Sequence, residues 1–257
     1  MTHRRESSSP GGKGTVLVTG ASSGVGNCIA HHLAGDFRVL AVARRYPHLV
    51  RDFADEPSVV PHRLDLADLG EVEALCDDLI EQGEQVTHIV NNAGVSKPGT
   101  IEALAVADLQ LSLTINALAP LVIMQKLLPG MRERGFGRII NVTSGAPLNC
   151  FPGFAAYSGS KALLNAITVT AAQEYEDHDI RINLMSPGPV RTEMAPEAPM
   201  DPEVCLPTLD HLLELDAAGP TGRFFWLGYE VPLSPDLSGV DWLRGKGAQA
   251  MKRILAH

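Results

Sequence analysis

The sequence predicts an α/β protein, a doubly wound and mostly parallel sheet of about seven strands with helices on both faces. Three observations predict it. Short apolar, β-branched runs recur along the 257 residues. Helical patterns lie between most of them. The runs themselves are nearly continuous in apolar residues, as strands buried on both faces must be.

In chain order, "GTVLVTG" (Gly14 to Gly20) is the first strand, and a helix through "NCIAHHLAG" follows, closed by Gly35. "RVLAVA" (Arg38 to Ala43), "VVPHRLDL", "VTHIVNNAG", "GRIINVTS" and "IRINLMSPG" are the next five strands, and "GRFFWLG" near Phe224 is the last. A long helix runs from about Asp108 to Arg134, with Pro129 expected to bend or end it. A second helix occupies "AAYSGSKALLNAITVTAAQEYEDH", from Ala155 to His178. There is no internal repeat and no mid-chain linker. Residues 14–257 therefore read as one domain behind a flexible Ser-, Pro- and Gly-rich tail over residues 1–13.

Composition narrows the function. Apolar content of 45% and charged content of 20% are ordinary for a globular domain, and the formal net charge of -9 disfavours a nucleic-acid partner. No apolar run is expected to reach the roughly 20 residues of a membrane span, and no signal segment follows Arg4 and Arg5. The four cysteines, Cys28, Cys76, Cys150 and Cys205, are scattered without metal-ligand spacing. No metal is expected, and free thiols fit a reducing, cytoplasmic setting.

The first strand runs straight into "TGASSGVG", Thr19 to Gly26. A strand, a Gly-rich turn and a helix start present unpaired N–H groups and the positive helix end to an anion. Gly20 allows the tight turn, Gly24 the approach of a pyrophosphate and Gly26 close helix–strand packing, with Ser22, Ser23 and Val25 between them. Taken alone, the three glycines also fit a turn with a helix cap. At the end of the second strand, an acid would bind the ribose 2′-hydroxyl of NAD. Ala43 stands there instead, followed by Arg44 and Arg45. Guanidinium forks suit a 2′-phosphate, which favours NADP(H); a solvated basic pair is the plainer alternative.

Tyr157 and Lys161 are four apart and share one helical face. An ammonium beside a phenol favours phenolate, so the Tyr157 pKa is expected to be lowered. Such a Tyr exchanges a proton with a carbonyl or alcohol oxygen. Ser144, thirteen residues upstream and just past the fifth strand, offers a hydroxyl to the same oxygen. Each feature is common by itself. Together on a nucleotide-binding (Rossmann-type) sheet they carry information.

On these residues the chain resembles the short-chain dehydrogenase/reductase (SDR) family in its core-length form. The matches are T-G-x-x-x-G-x-G at Thr19 to Gly26, N-N-A-G at Asn91 to Gly94, Ser144, Y-x-x-x-K at Tyr157 to Lys161 and P-G at Pro187–Gly188, covering Gly14 to about Gly228. The resemblance implies an NADP(H)-dependent oxidoreductase of carbonyls and secondary alcohols. Tyr157 would be the acid/base, and Lys161 would lower its pKa and hold the nicotinamide ribose. Ser144 would polarise the substrate carbonyl, and Asn116 would be the fourth catalytic residue, its backbone holding a water. Asp65 would meet the adenine, with Leu66 beside it. Asn91, Asn92, Ala93 and Gly94 would border the adenosine and brace the central strand. Pro187, Gly188, Val190 and Thr192 would border the nicotinamide. Members are usually dimers or tetramers, so a homo-oligomer is expected. A silent NADP(H) sensor, or an imine or enoyl reductase, are the alternatives on the same fold.

The chain departs from the family after Pro187–Gly188. A helix over about Pro202 to Leu215 leaves a shortened substrate loop near residues 191–201. An open pocket follows, suited to a bulky substrate or one presented on a carrier. Phe224, Phe225 and Trp226 form an aromatic cluster expected in core or subunit contact, and a short helix is expected at the C-terminus. Val95, Ser96, Asn149, Phe151 and Phe154 are the candidate substrate contacts. None is a counter-charge for a carboxylate, so a neutral ketone or alcohol fits best.

Overall fold

A computed structural model describes residues 12–233. Most of the expected N-terminal tail and the expected C-terminal helix fall outside them. Within them, eight strands form one sheet: β1 (Thr15–Thr19), β2 (Arg38–Ala43), β3 (Val59–Arg63), β4 (Val86–Asn91), β5 (Gly137–Val142), β6 (Ile180–Ser186), β7 (Phe224–Trp226) and β8 (Tyr229–Val231). Their order is β3-β2-β1-β4-β5-β6-β7-β8. The first seven are parallel and β8 pairs antiparallel to β7.

The period-2 pleat divides the core. Val16 and Val18 of β1 and Val39 and Ala41 of β2 face one layer, which holds Ile29 and Leu33 of α1 (Gly24–Leu33), Leu49 of α2 (Tyr46–Asp52), and Leu209 and Leu212 of α8 (Leu206–Leu213). Leu17 and Leu40 face the other layer. There they meet Val72 and Leu79 of α3 (Leu69–Glu81) and Ile123, Met124 and Met131 of α5 (Ala119–Arg134). The remaining helices are α4 (Val106–Leu113), α6 (Ala146–Asn149) and α7 (Ala155–Glu174). Asp68 caps α3 by accepting from the Gly70 and Glu71 amides at 2.9 and 3.2 Å. Pro61 sits inside β3 because β3 is an edge, where a missing donor costs no ladder bond.

Two expectations are refined, the strand count and Pro129, and two are corrected. The sheet has an eighth strand. The β7–β8 turn is Leu227–Gly228, both left-handed at φ 46° and 82°, as a two-residue primed hairpin demands. Leu is rarely found in that conformation, so the turn is not announced by its residues. The long helix is not one regular helix: α4 and α5 are joined by a π-helical turn, Thr114–Leu118. Of the two outcomes expected at Pro129, a bend or an end, the end does not occur: α5 continues to Arg134 and stops at Gly135, whose φ of 73° is a left-handed cap. Finally, the joined helix Val106–Arg134 is long and apolar enough to meet the length and hydropathy criteria for a membrane span. Its apolar side instead packs on the sheet through Ile123, Met124, Leu127 and Met131.

At the N-terminal end of the sheet, His88 is buried against Phe37 and Phe136, near the buried Arg138. Arg138 pairs with Asp179 at 2.7 Å and donates to the Leu215, Gly137 and Asp179 carbonyls. Burial, helped by the Arg138 charge, lowers the His88 pKa from 6.5 to about 4. As pH falls through that window the unfolded chain takes up a proton that the folded chain refuses. Stability therefore declines from pH 6.5 toward pH 4, by roughly 3 kcal/mol in full. Urea unfolding across this range should show a steeper loss in the wild-type chain than in His88→Asn. Equal slopes would assign the acid sensitivity to another group.

Candidate active site

The strand order reverses direction between β1 and β4, and a cleft of about 640 Å³ opens there at the carboxyl ends of the strands. Its floor is built from buried polar contacts. The Thr19 hydroxyl accepts from the Asn92 and Ala93 amides at 3.0 and 3.1 Å, and Asn92 Nδ2 donates to the Thr19 carbonyl at 3.0 Å. One Thr at the end of β1 thus ties the turn after β4 to the Gly-rich turn. Below it, Asn91 Nδ2 donates to Asn141 Oδ1 at 2.8 Å, and Asn141 Nδ2 donates to Thr168 Oγ1 at 2.8 Å. This ladder fixes β4, β5 and α7 against one another.

The Gly-rich turn is shaped for close approach. A Cβ on Gly26 would lie 2.4 Å from both Asn92 Nδ2 and the Gly20 carbonyl oxygen. Gly20 and Gly24 have φ of 71° and 54°. Gly20, Ser22, Ser23, Gly24 and Val25 line the cleft, whereas Gly26 packs beneath it. Arg44, Arg45, Asp65 and Leu66 line the adjoining end. Arg45 donates to Ser23 Oγ at 2.5 Å and Ser22 Oγ at 3.4 Å, and Arg44 lies 3.9 Å from Asp65. Two guanidinium groups, each paired with a carboxylate, thus stand beside an amide-lined turn, a donor set that suits the phosphates of a dinucleotide.

At the other end, Asn92, Ala93, Gly94, Pro187, Gly188, Val190 and Thr192 line the cleft together with Ser144, Tyr157 and Lys161. Ser144 stands just past β5, and Tyr157 and Lys161 lie on the first turns of α7. Lys161 is buried and donates from Nζ to the Val142 carbonyl at 2.7 Å, 5.9 Å from the Tyr157 ring centre. Burial lowers its pKa from 10.5 to about 8.

The Tyr157 pKa is raised, not lowered as the four-residue spacing implies: burial dominates, and a hydrogen bond with Ser144 opposes it. The ammonium is committed to Val142 and is itself weakened by burial, so it does not offset the desolvation of the phenol. In the chain alone the phenol is held in its protonated form.

Asn116 is buried in the π turn, behind the cleft wall. Its side chain accepts from the Val95 amide at 2.8 Å and donates to the Val95 carbonyl and to Ser160 Oγ, both at 2.9 Å. Ser160 in turn donates to the Tyr157 carbonyl at 2.8 Å. Asn116 therefore links the segment after N-N-A-G to the helix that carries Tyr157. π turns often mark such sites.

Of the candidate substrate contacts, Val95, Ser96 and Phe154 line the cleft. Asn149 and Phe151 are exposed and do not: Asn149 Nδ2 folds back onto the Gly145 carbonyl at 2.8 Å, and Phe151 is 55% exposed. Asn91 is buried in the polar ladder rather than in the cleft wall. Reading the sequence missed Ile115, Pro189, Glu193, Met194 and Ala195, which also line the cleft. The last four belong to a helix-free strap between β6 and a 3-10 turn at Pro202–Cys205. The strap is pinned by pairing of Val190 with Met200 and of Thr192 with Ala195.

A doubly wound sheet with a Gly-rich turn at its switch point, and a Ser, Tyr and Lys in the same cleft, defines a dinucleotide-dependent oxidoreductase. The family model described as short chain dehydrogenase matches residues 14–203, and the chain belongs to that family. It is 34% identical over 193 residues to the Drosophila melanogaster dehydrogenase/reductase SDR family protein 7-like, covering 70% of this chain but 58% of the fly protein. Identity is also 34% to 2-(R)-hydroxypropyl-CoM dehydrogenase of Xanthobacter autotrophicus, covering 70% of this chain and 75% of that one. The NADPH-bound carbonyl reductase from chicken fatty liver superposes with a TM-score of 0.75 at 26% identity, covering 83% of this chain and 96% of that one. The matched family span ends before β7 and β8.

Proposed function

We propose that the chain is an NADP(H)-dependent carbonyl reductase or alcohol dehydrogenase acting on a neutral or bulky ketone or its alcohol. The observation that carries the reading is that Ser144, Tyr157 and Lys161 share one cleft with the Gly-rich turn and the Arg44–Arg45 pair. The nicotinamide group, when bound, supplies or accepts the hydride. Ser144 donates a hydrogen bond to the substrate oxygen, and Tyr157 gives that oxygen its proton in reduction or takes it in oxidation. The protonated phenol is the form the reductive direction needs, since the proton must be present to be given. Lys161 holds the ribose hydroxyls and passes the replacement proton toward Tyr157. Thr192 and Val190 orient the nicotinamide end, and Asp65 and Leu66 the adenine end.

Val95, Ile115, Phe154 and Met194 give the space near Tyr157 an apolar character, which favours an uncharged substrate. With no helix between residues 187 and 201, the strap leaves that space open, in keeping with a large substrate or one carried on another protein. A homodimer or homotetramer in the cytoplasm completes the reading. Self-association is supported by the largely apolar groove where Leu121 and Leu128 of α5 meet Ile167 and Ala171 of α7.

The test is NADPH oxidation, followed by loss of nicotinamide absorbance, against a panel of aliphatic, aromatic and β-keto carbonyl compounds. Turnover of neutral ketones with NADPH is expected. Tight NADPH binding without turnover of any carbonyl would favour the silent sensor instead.

A further inference from the structure

Glu193 follows Thr192 on the strap, lines the cleft and reaches Arg45 beside the Gly-rich turn. Both its carboxylate oxygens lie 3.0 Å from Arg45 Nη1. The remaining nitrogens of the same guanidinium are directed at Ser23 Oγ and Ser22 Oγ. Arg45 is therefore shared between the Gly-rich turn and the strap, joining residues 148 apart in sequence.

We propose that Glu193 is a built-in competitor for the cofactor's 2′-phosphate, a carboxylate that occupies Arg45 until the phosphate displaces it. The proposal rests on the NADP(H) reading above and makes Glu193 a determinant of cofactor selectivity. A carboxylate and a phosphate monoester present the same chemistry to a guanidinium fork, two acceptor oxygens and negative charge. Two of the five guanidinium N–H groups are directed at the serines and Nη1 is taken by Glu193, so an incoming phosphate competes with the carboxylate for Nη1. Glu193 is the one that leaves readily, because its side chain is 69% exposed whereas that of Arg45 is 36% exposed. Staying in place would set two like charges beside one cation. NAD(H) brings only a neutral hydroxyl to this point and meets no repulsion. Glu193 thus penalises NADP(H) and not NAD(H), and holding Arg45 also ties the strap to the turn while the cleft is empty of phosphate.

The competing pair is solvent-exposed, so its effect is modest. Removing the carboxylate should tighten NADP⁺ binding by about two- to fivefold and leave NAD⁺ binding unchanged. The experiment is calorimetric titration of the full-length wild-type chain, Glu193→Gln, Glu193→Ala and Arg45→Gln at low salt, with NADP⁺, NAD⁺ and 2′,5′-ADP as probes. Tighter NADP⁺ and 2′,5′-ADP binding in both Glu193 variants, with unchanged NAD⁺ binding, supports the proposal. A wild type that prefers NADP⁺, an Arg45→Gln variant that loses the preference, and Glu193 variants indistinguishable from or weaker than wild type would overturn it while leaving the NADP(H) reading intact. A wild type with no preference for NADP⁺ over NAD⁺, unchanged by Arg45→Gln, would sink the NADP(H) reading itself.

Discussion

Tyr157→Phe should lower kcat for carbonyl reduction by about 10²–10⁴-fold while changing NADPH affinity by no more than about twofold. The substitution removes one oxygen and keeps the ring, so α7 and the cleft wall retain their packing. What disappears is the proton donor. A phenol is protonated at neutral pH and burial keeps it so, so the donor is missing only when the hydroxyl itself is gone. The same shift predicts a directional asymmetry. Reduction needs the phenol and should hold its rate until the pH approaches the phenol's own raised value. Oxidation needs the phenolate and should gain rate as the pH climbs. Lys161, lowered to about 8, loses its charge within the range where oxidation is measured and softens that gain. Rates in both directions against pH, with cofactor binding by fluorescence, would check the set. A Phe variant that reduces ketones at the wild-type rate would remove Tyr157 from the chemistry.

The second large effect lies in the Gly-rich turn. Gly26→Ala should weaken dinucleotide binding by about tenfold or more and destabilise the fold by about 1–3 kcal/mol. A methyl group there meets Asn92 Nδ2 and the Gly20 carbonyl oxygen at 2.4 Å. The carbonyl belongs to the backbone of the turn and can yield only by moving the amides that face the phosphates. Gly159→Ala is the matching control. Gly159 lies in α7, has no atom within 4 Å of its would-be Cβ, and should gain about 0.5–1 kcal/mol in thermal or urea unfolding. If the two substitutions behaved alike, the explanation from space at Gly26 would be wrong.

The sheet was legible in the sequence because a parallel strand covered on both faces must be apolar at nearly every position, as β1 and β2 are. The Gly-rich turn and the Tyr–Lys spacing were legible because each is a local pattern with a local cause. What escaped depended on distant residues or on burial. Four-residue spacing puts Lys161 on the same face as Tyr157, yet it does not say that the ammonium would turn to Val142 or that desolvation would outweigh it. Asn116 was found by resemblance, but its two-sided grip on Val95 depends on a π turn that apolar periodicity does not reveal. The β8 hairpin hid behind Leu227, and the Arg45–Glu193 pair joins segments whose separation carries no signal.

The π turn sets the rotational phase of everything that follows it in the helix. Each residue inserted into a helix rotates everything after it by about 100° about the axis, as 3.6 residues per turn require. The extra residue in the Thr114–Leu118 stretch therefore acts as a phase adjuster: it lets α5 dock its apolar stripe while Asn116 aims at Val95. Losing that residue would leave an unbroken, more regular rod with its amide pointed elsewhere. A one-residue deletion within 114–118 should therefore cost the Asn116–Val95 contacts while leaving the helix itself intact.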